Sequence, residues 1–257
     1  MPDLLYEKRQ LYAVFTMNRP ERLNALGQVL WQELAEAIED FTADNEMRVG
    51  ILTGAGDRAF SAGADLKEMA ARGQVANPSS RVARVDGMFH FSRNPKPFIA
   101  AVNGLAIGGG MERAMDCDIR IAADHAQFGL MEVKRGILAG YGVHNLTRLI
   151  PHGEAMYLLL TGDLISAQEA LRCGFVHKVL PPDQLMDEAI RIAGMIADNA
   201  PLAIRGTKAI ASYWRHFAID ESYRWVPWVQ EVVLGSEDAK EGPRAFTEKR
   251  APQWKGR

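Results

Sequence analysis

Three short segments of this chain combine residue types that do carbonyl chemistry. The first is Ile107-Gly108-Gly109-Gly110-Met111-Glu112, where three glycines lead into a helix-forming stretch and an acid follows. The first turn of a helix has backbone N–H groups without intrahelical acceptors and lies at the positive end of the helix dipole, so it can hold developing negative charge. Glycine lets a ligand approach such a backbone closely. Glu112 falls in that first turn, pointing at the same space. The spacing fits equally a tight strand–helix turn with a glutamate on the surface. The second segment, Ala59-Phe60-Ser61-Ala62-Gly63-Ala64-Asp65-Leu66, again runs through small residues into a short helix. A second backbone N–H from it could converge on the first. Two donors aimed at one oxygen make an oxyanion hole, usually the largest catalytic contribution in acyl chemistry. Taken alone, the segment reads more simply as a small-residue loop. The third is Phe128-Gly129-Leu130-Met131-Glu132-Val133, an acid among apolar neighbours. Burial and a neighbouring carboxylate both raise a glutamate pKa, and two carboxylates in different environments can divide into acid and base. A glutamate followed by Lys134 and Arg135 is more commonly solvated or salt-bridged.

Other chemistries are disfavoured by the same residue-level reading. Gly54-Ala55-Gly56-Asp57-Arg58-Ala59 matches the GxGxxA dinucleotide fingerprint after a strand. That fingerprint needs a helix to begin at once, whereas Phe60 to Gly63 reads as loop. The glycine run at 108–110 is not followed by Lys and Ser or Thr, which excludes a nucleotide phosphate loop. The two cysteines, Cys117 and Cys173, form no CxxC and the six histidines no HExxH, so no metal site is expected. Few cysteines and an N-terminus without a charged-then-apolar signal pattern point to free thiols in a reducing cytosol. A net charge of −2 gives no basic footprint for nucleic acid, and no apolar run reaches membrane-spanning length.

These segments need elements to hold them. The 257 residues, 47% hydrophobic and 24% charged, suit one large soluble domain or one domain with an appendage. Leu11–Met17, Val49–Thr53, Phe98–Val102, Asp118–Ala122 and Phe175–Leu180 read as strands. Leu30, Leu34, Ile38 and Phe41 recur at helical spacing. A short helix is expected near Leu66 to Ala71, a polar loop over 73–80, and another helix through Val82, Val85 and Phe89. Gly104 to Met115 reads as a glycine-rich turn feeding a helix. After about residue 142 helices dominate. Ser166 with Glu169 makes a capping box, Pro201 opens a helix, the stretches 182–198 and 201–216 have helical periodicity, and Pro227 interrupts a helix around 219–234. Mixed strands and helices followed by helices alone argue an α/β core with a helical C-terminal part, divided here as 1–195 and 196–257.

Taken together, the segments resemble the crotonase superfamily of enoyl-CoA hydratases and isomerases. The pattern spans most of the chain: Asn18-Arg19-Pro20 with Leu23-Asn24-Ala25, Phe60 to Lys67, Val102-Asn103-Gly104, Gly108 to Glu112, Asp116-Cys117-Asp118-Ile119, Phe128 to Glu132, Ser236 to Gly242 and Phe246 to Arg250. The ending Trp254-Lys255-Gly256-Arg257 is also similar to carnitinyl-CoA dehydratases. The resemblance implies a spiral of ββα units with a helical C-terminal trimerisation region, assembled as homotrimers or as hexamers of paired trimers. It implies a cytoplasmic enzyme of fatty acid metabolism that acts on an acyl-CoA substrate. That enzyme needs no metal or redox cofactor, coenzyme A being part of the substrate. The implied reaction is addition of water across a 2-enoyl thioester, or the reverse dehydration; carnitinyl-CoA dehydration and double-bond isomerisation are siblings in the same pocket. By the resemblance, the amides of Ala64 and Gly109 hold the thioester oxygen, Glu112 activates water, Glu132 gives a proton to the α-carbon, and Gly140 helps hold the water. Arg22, Lys67, Phe246 and Lys249 meet the coenzyme. Ala62, Asp65, Leu66, Gly108, Met131 and Tyr141 complete the substrate contacts. Isomerases of the family often retain only the second glutamate, so the presence of both favours hydration. A non-catalytic or RNA-binding relative would show a degraded glutamate pair or a basic stripe, and the sequence has neither.

The sequence also departs from the family pattern. Met131 stands where many members have proline. Gly140-Tyr141-Gly142-Val143-His144-Asn145 is one residue shorter than the usual loop and lacks its Gly-Gly pair. Arg113 replaces an apolar residue and is expected in a surface or interface ion pair. Tyr141 and Met131 read as pocket walls or as core packing.

Overall fold

A computed structural model describes residues 1–65, 67–68, 91–135, 138–213, 231–232 and 235–257, without the side chains of 213, 242–244, 246 and 247. The loop expected at 73–80, the helix through Val82, Val85 and Phe89, and most of 219–234 with Pro227 lie outside the described residues. So does most of the helix expected near Leu66 to Ala71, of which Lys67 and Glu68 are helical.

Alternation in the N-terminal segment makes a hairpin: β1 (Leu4–Arg9) pairs antiparallel with β2 (Tyr12–Met17), and Ala13, Phe15 and Met17 share a buried face. Helix α1 (Gln28–Ala43) buries Leu30, Leu34 and Phe41 as its spacing predicts, with Ala37 beside them, while Ile38 is only half-buried against the core. Three strand pairs follow. They are β3 (Val49–Gly54) with β4 (Ala59–Ser61), β5 (Phe98–Val102) with β6 (Leu105–Ile107), and β7 (Ile119–Ala123) with β8 (Gln127–Gly129). The first member of each pair enters a six-stranded sheet of order β1-β2-β3-β5-β7-β10, closed by β10 (Lys178–Leu180). The second member enters a four-stranded sheet of order β4-β6-β8-β9, in which β9 is Ile165–Ser166. Successive pairs run parallel in both sheets. A chain that repeats one ββ turn after another, with α2 (Gly109–Asp116) following β6, is the expected spiral.

Strands β3 and β5 are buried along their whole length, so their near-continuous apolar runs serve two faces. Leu52, Ala100, Val102 and Ala122 join the core beneath α1 and α2. Val49, Ile51, Ile99, Ala101, Ile121 and Ala123 point the other way, onto Leu185, Ala189, Ile192 and Ala193 of α6 (Leu185–Ala197).

The chain after residue 141 is mainly helical, as expected: α3 (Gly142–Leu149), α4 (His152–Thr161), α5 (Ala167–Arg172), α6, α7 (Pro201–Tyr213) and α8 (Glu237–Glu248). The capping box at α5 is present, with the Glu169 amide donating to Ser166 Oγ at 3.2 Å and the Ser166 amide to Glu169 Oε2 at 2.9 Å. Pro201 opens α7. That helix is tied to the core by Lys208, whose Nζ donates to Phe91 O, Lys96 O and Asp118 Oδ2. Two expectations shift. Phe175–Leu180 yields a strand only from Lys178, because the Phe175 and Val176 amides both donate to Ala170 O and continue the turn after α5. Phe60 to Gly63 is not all loop, since Ala59–Ser61 pairs with β6. Gly54 to Gly56 therefore leads into a strand rather than a helix, and the dinucleotide fingerprint lacks its required context. Among the described residues no helix is long and apolar enough to cross a membrane.

Candidate active site

Parallel pairing of β4 with β6 brings the ends of two glycine-bearing segments together. Gly63 has φ of +80°, a conformation that glycine tolerates, and a Cβ there would lie 2.7 Å from Ile107 O and 2.9 Å from Gly109 N. A Cβ on Gly109 would lie 3.6 Å from Ala64 N. A single bridge holds this approach: Leu26 N donates to Gly63 O at 2.7 Å and Asp65 N to Leu26 O at 3.3 Å. Ala64 lies between those two bonds and Gly109 is the first residue of α2, so neither amide has an acceptor among the described residues. Two such donors side by side can receive one oxygen.

Both glutamates belong to elements that adjoin this point. Glu112, in the first turn of α2, donates its amide to Gly108 O at 3.0 Å. Its Oε1 accepts from the amides of Tyr141 and Gly142, both at 2.8 Å. Those N–H groups open α3, so the carboxylate of one helix meets the positive end of another. Glu132 lies on a 3-10 turn, Met131–Arg135, directly after β8. Gly108, at φ +53°, brings the backbone so near that a Cβ there would sit 3.2 Å from Glu132 Oε1. Glu132 Oε2 is shielded from solvent. Lys134 and Arg135 are exposed, and Met131 is half-buried.

The remaining expected residues divide. Ala62 is half-buried and its amide donates to Leu23 O. Asp65 is buried and its carboxylate is committed to Arg22 at 2.8 Å and Arg19 at 3.0 Å. Burial pushes that carboxyl up, but hydrogen bonds from Arg22, the Glu68 amide and Arg19 outweigh it and hold it below its ordinary value. Arg22 and Lys67 remain open to solvent at that edge. Leu66 lies outside the described residues, as does the Phe246 side chain, whose backbone belongs to α8. Lys249 is exposed just past that helix. Gly140 is exposed one residue before Tyr141, and an added Cβ would meet nothing within 4 Å.

Arg113 corrects an expectation. It is buried rather than superficial, with its guanidinium 5.4 Å from the Trp31 ring, 5.9 Å from the Tyr141 ring and 3.6 Å from Asp116 Oδ2. A flat, weakly hydrated guanidinium stacks on aromatic faces at small desolvation cost, which lets it pair inside. Sequence reasoning also missed Asp116 and the backbone clamp from Tyr141 and Gly142. The available signal was the i, i+4 spacing of Glu112 and Asp116, which puts both acids on one helix face.

Comparison with known proteins fits this geometry. The family model described as enoyl-CoA hydratase/isomerase matches residues 7–257. The chain is 40% identical over 250 residues to the (E)-benzylidenesuccinyl-CoA hydratase of Thauera aromatica, covering 95% of each chain. It is 41% identical over 246 residues to the carnitinyl-CoA dehydratase of Salmonella arizonae, covering 94% of each. A crystal structure of an enoyl-CoA hydratase from Bacillus anthracis superimposes with a TM-score of 0.90 at 37% identity, over 99% of this chain and 100% of that one. The match in motif order, in the two-sheet spiral and along nearly the whole chain places this protein in the enoyl-CoA hydratase/isomerase family.

Proposed function

We propose that the chain adds water across the double bond of a 2-enoyl-CoA thioester, or removes it in reverse, as a carbon–oxygen lyase. The observation that carries this reading is the close approach of Ala64 and Gly109, with Glu132 against Gly108 and Glu112 in the first turn of the helix that Gly109 opens. A thioester oxygen held by both amides draws electrons from the β-carbon. Water deprotonated by Glu112 adds there, and the resulting enolate, whose negative oxygen the two N–H groups favour over the ground state, takes a proton at the α-carbon from Glu132. The Glu112 carboxylate, hydrogen-bonded through Oε1, keeps Oε2 for the water. Glu132, whose Oε2 is shielded from solvent, is the proton donor in this reading. Gly140, one residue before Tyr141, is assigned in this reading to help orient the water. Arg22, Lys67, Phe246 and Lys249 serve the coenzyme, which acts as a substrate handle with no further cofactor, and 196–257 serves self-association as a trimer or paired trimers.

Carnitinyl-CoA dehydration is the second reading, favoured by the 41% identity to the Salmonella arizonae enzyme. Hydration of crotonyl-CoA, followed by loss of the enoyl-thioester absorbance beside hydration of crotonobetainyl-CoA, separates the two. Rapid turnover of crotonyl-CoA that depends on Glu132 supports the simple hydratase. Turnover of crotonobetainyl-CoA alone moves the assignment to the dehydratase, and turnover of neither overturns both.

A further inference from the structure

We propose that Tyr141 is a positioning residue for Glu112: its hydroxyl, anchored on buried Asp116, fixes the loop whose amides hold the Glu112 carboxylate. Glu112 and Asp116 stand about one turn apart on α2, and Tyr141 engages both. Its amide donates to Glu112 Oε1 at 2.8 Å and its hydroxyl donates to Asp116 Oδ1 at 2.8 Å. Asp116 is itself immobilised, fully buried and accepting from the Phe91 amide at 2.7 Å and Ser92 Oγ at 2.6 Å. The Arg113 guanidinium lies over the Tyr141 ring and near Asp116 Oδ2. On the far side the Tyr141 carbonyl accepts from Asn145 Nδ2 at 3.0 Å and from the Asn145 amide. The ring is thus a strut between two points of α2, and the start of α3 is set by it. A side chain anchored on the core supplies rigidity that the loop backbone alone would lack. Mislocating a general base by an ångström is costly, because the proton transfer occurs within hydrogen-bond reach.

This inference rests on Glu112 acting as the base, so the experiment reads both. Steady-state hydration of crotonyl-CoA is measured for wild type, Tyr141→Phe, Glu112→Gln and the double variant, together with amide hydrogen exchange at residues 141 and 142 in wild type and Tyr141→Phe. The expected result is a fall in kcat of about tenfold for Tyr141→Phe with KM within about twofold. In the Glu112→Gln background the same change should cost nothing further, since the strut then has no base to place. The two amides should exchange faster in Tyr141→Phe. An equal loss in both backgrounds, or an unchanged kcat, overturns the positioning role while leaving the hydratase reading intact. If wild type does not hydrate crotonyl-CoA, that reading fails by itself, and the exchange decides: unchanged protection at 141 and 142 overturns the strut, and faster exchange upholds it.

Discussion

The two sides of the site are built on different principles. On the Glu112 side the acid stands in a regular helix and receives two backbone N–H groups from the start of α3. On the Glu132 side the acid stands on a 3-10 turn whose later residues, Val133 to Arg135, are exposed, and a left-handed glycine brings the neighbouring backbone against it. The first carboxylate is held by two backbone N–H donors. The second has one oxygen shielded from solvent. In the proposed reading these chemically equal side chains take opposite tasks, and the difference between them lies in the surrounding backbone.

The largest test of this contrast removes each acid in turn. Glu112→Gln and Glu132→Gln should each lower kcat by about 10²–10⁴-fold while acyl-CoA binding persists, measured by steady-state kinetics and calorimetry. Near-normal turnover in either variant would erase the division of labour. Next in size, Gly108→Ala should act on the Glu132 side. It demands φ of +53° from an L-residue and sets a Cβ 3.2 Å from Glu132 Oε1, so kcat should fall by about 10–100-fold; an unchanged kcat would mean that Glu132 is not held by that approach. Gly142→Ala probes the other side. Its Cβ would meet Leu130 Cδ1 at 2.6 Å, a contact that a flexible side-chain end can partly relieve. A loss of about 1–3 kcal/mol in denaturant unfolding is expected, with a smaller fall in kcat than for Gly108→Ala. The reverse ranking would place the more sensitive wall at Glu112. The smallest effect is expected at Lys249→Ala, an exposed residue just past α8. KM should rise by no more than about fivefold with kcat unchanged, because an exposed charge contributes at most about 1 kcal/mol. A change in kcat instead would give Lys249 a part in the chemistry.

Much of this architecture is legible in the sequence, and the boundary has a cause. Strands β2, β3, β5 and β7 carry apolar runs long enough to declare themselves, and α1 shows its stripe because one face alone is buried. Strands β4, β6, β8 and β9 have two or three residues each, too few for a period to show. They are strands because successive spiral turns lay them beside one another. The motifs around Ala64, Gly109, Glu112 and Glu132 are visible as residue types at fixed places.

What the sequence by itself determined is therefore the inventory: two glycine-led segments able to free backbone N–H groups, two acids, and enough apolar periodicity to build the sheets and helices that carry them. What only the tertiary structure decided is convergence and partnership. Asn24 shows the difference at one position: its side chain is fully buried, donating to the carbonyls of Ala55 and Ala59 and thereby tying the loop before α1 to the one before β4. Arg113 shows it at another, drawn inside by two rings and a carboxylate from α1, α2 and the loop before α3. The physical reason is common to both. Local periodicity records which face of an element is apolar, but the partner of a buried polar group is chosen by packing between segments distant in sequence, where the cost of leaving that group unsatisfied is settled.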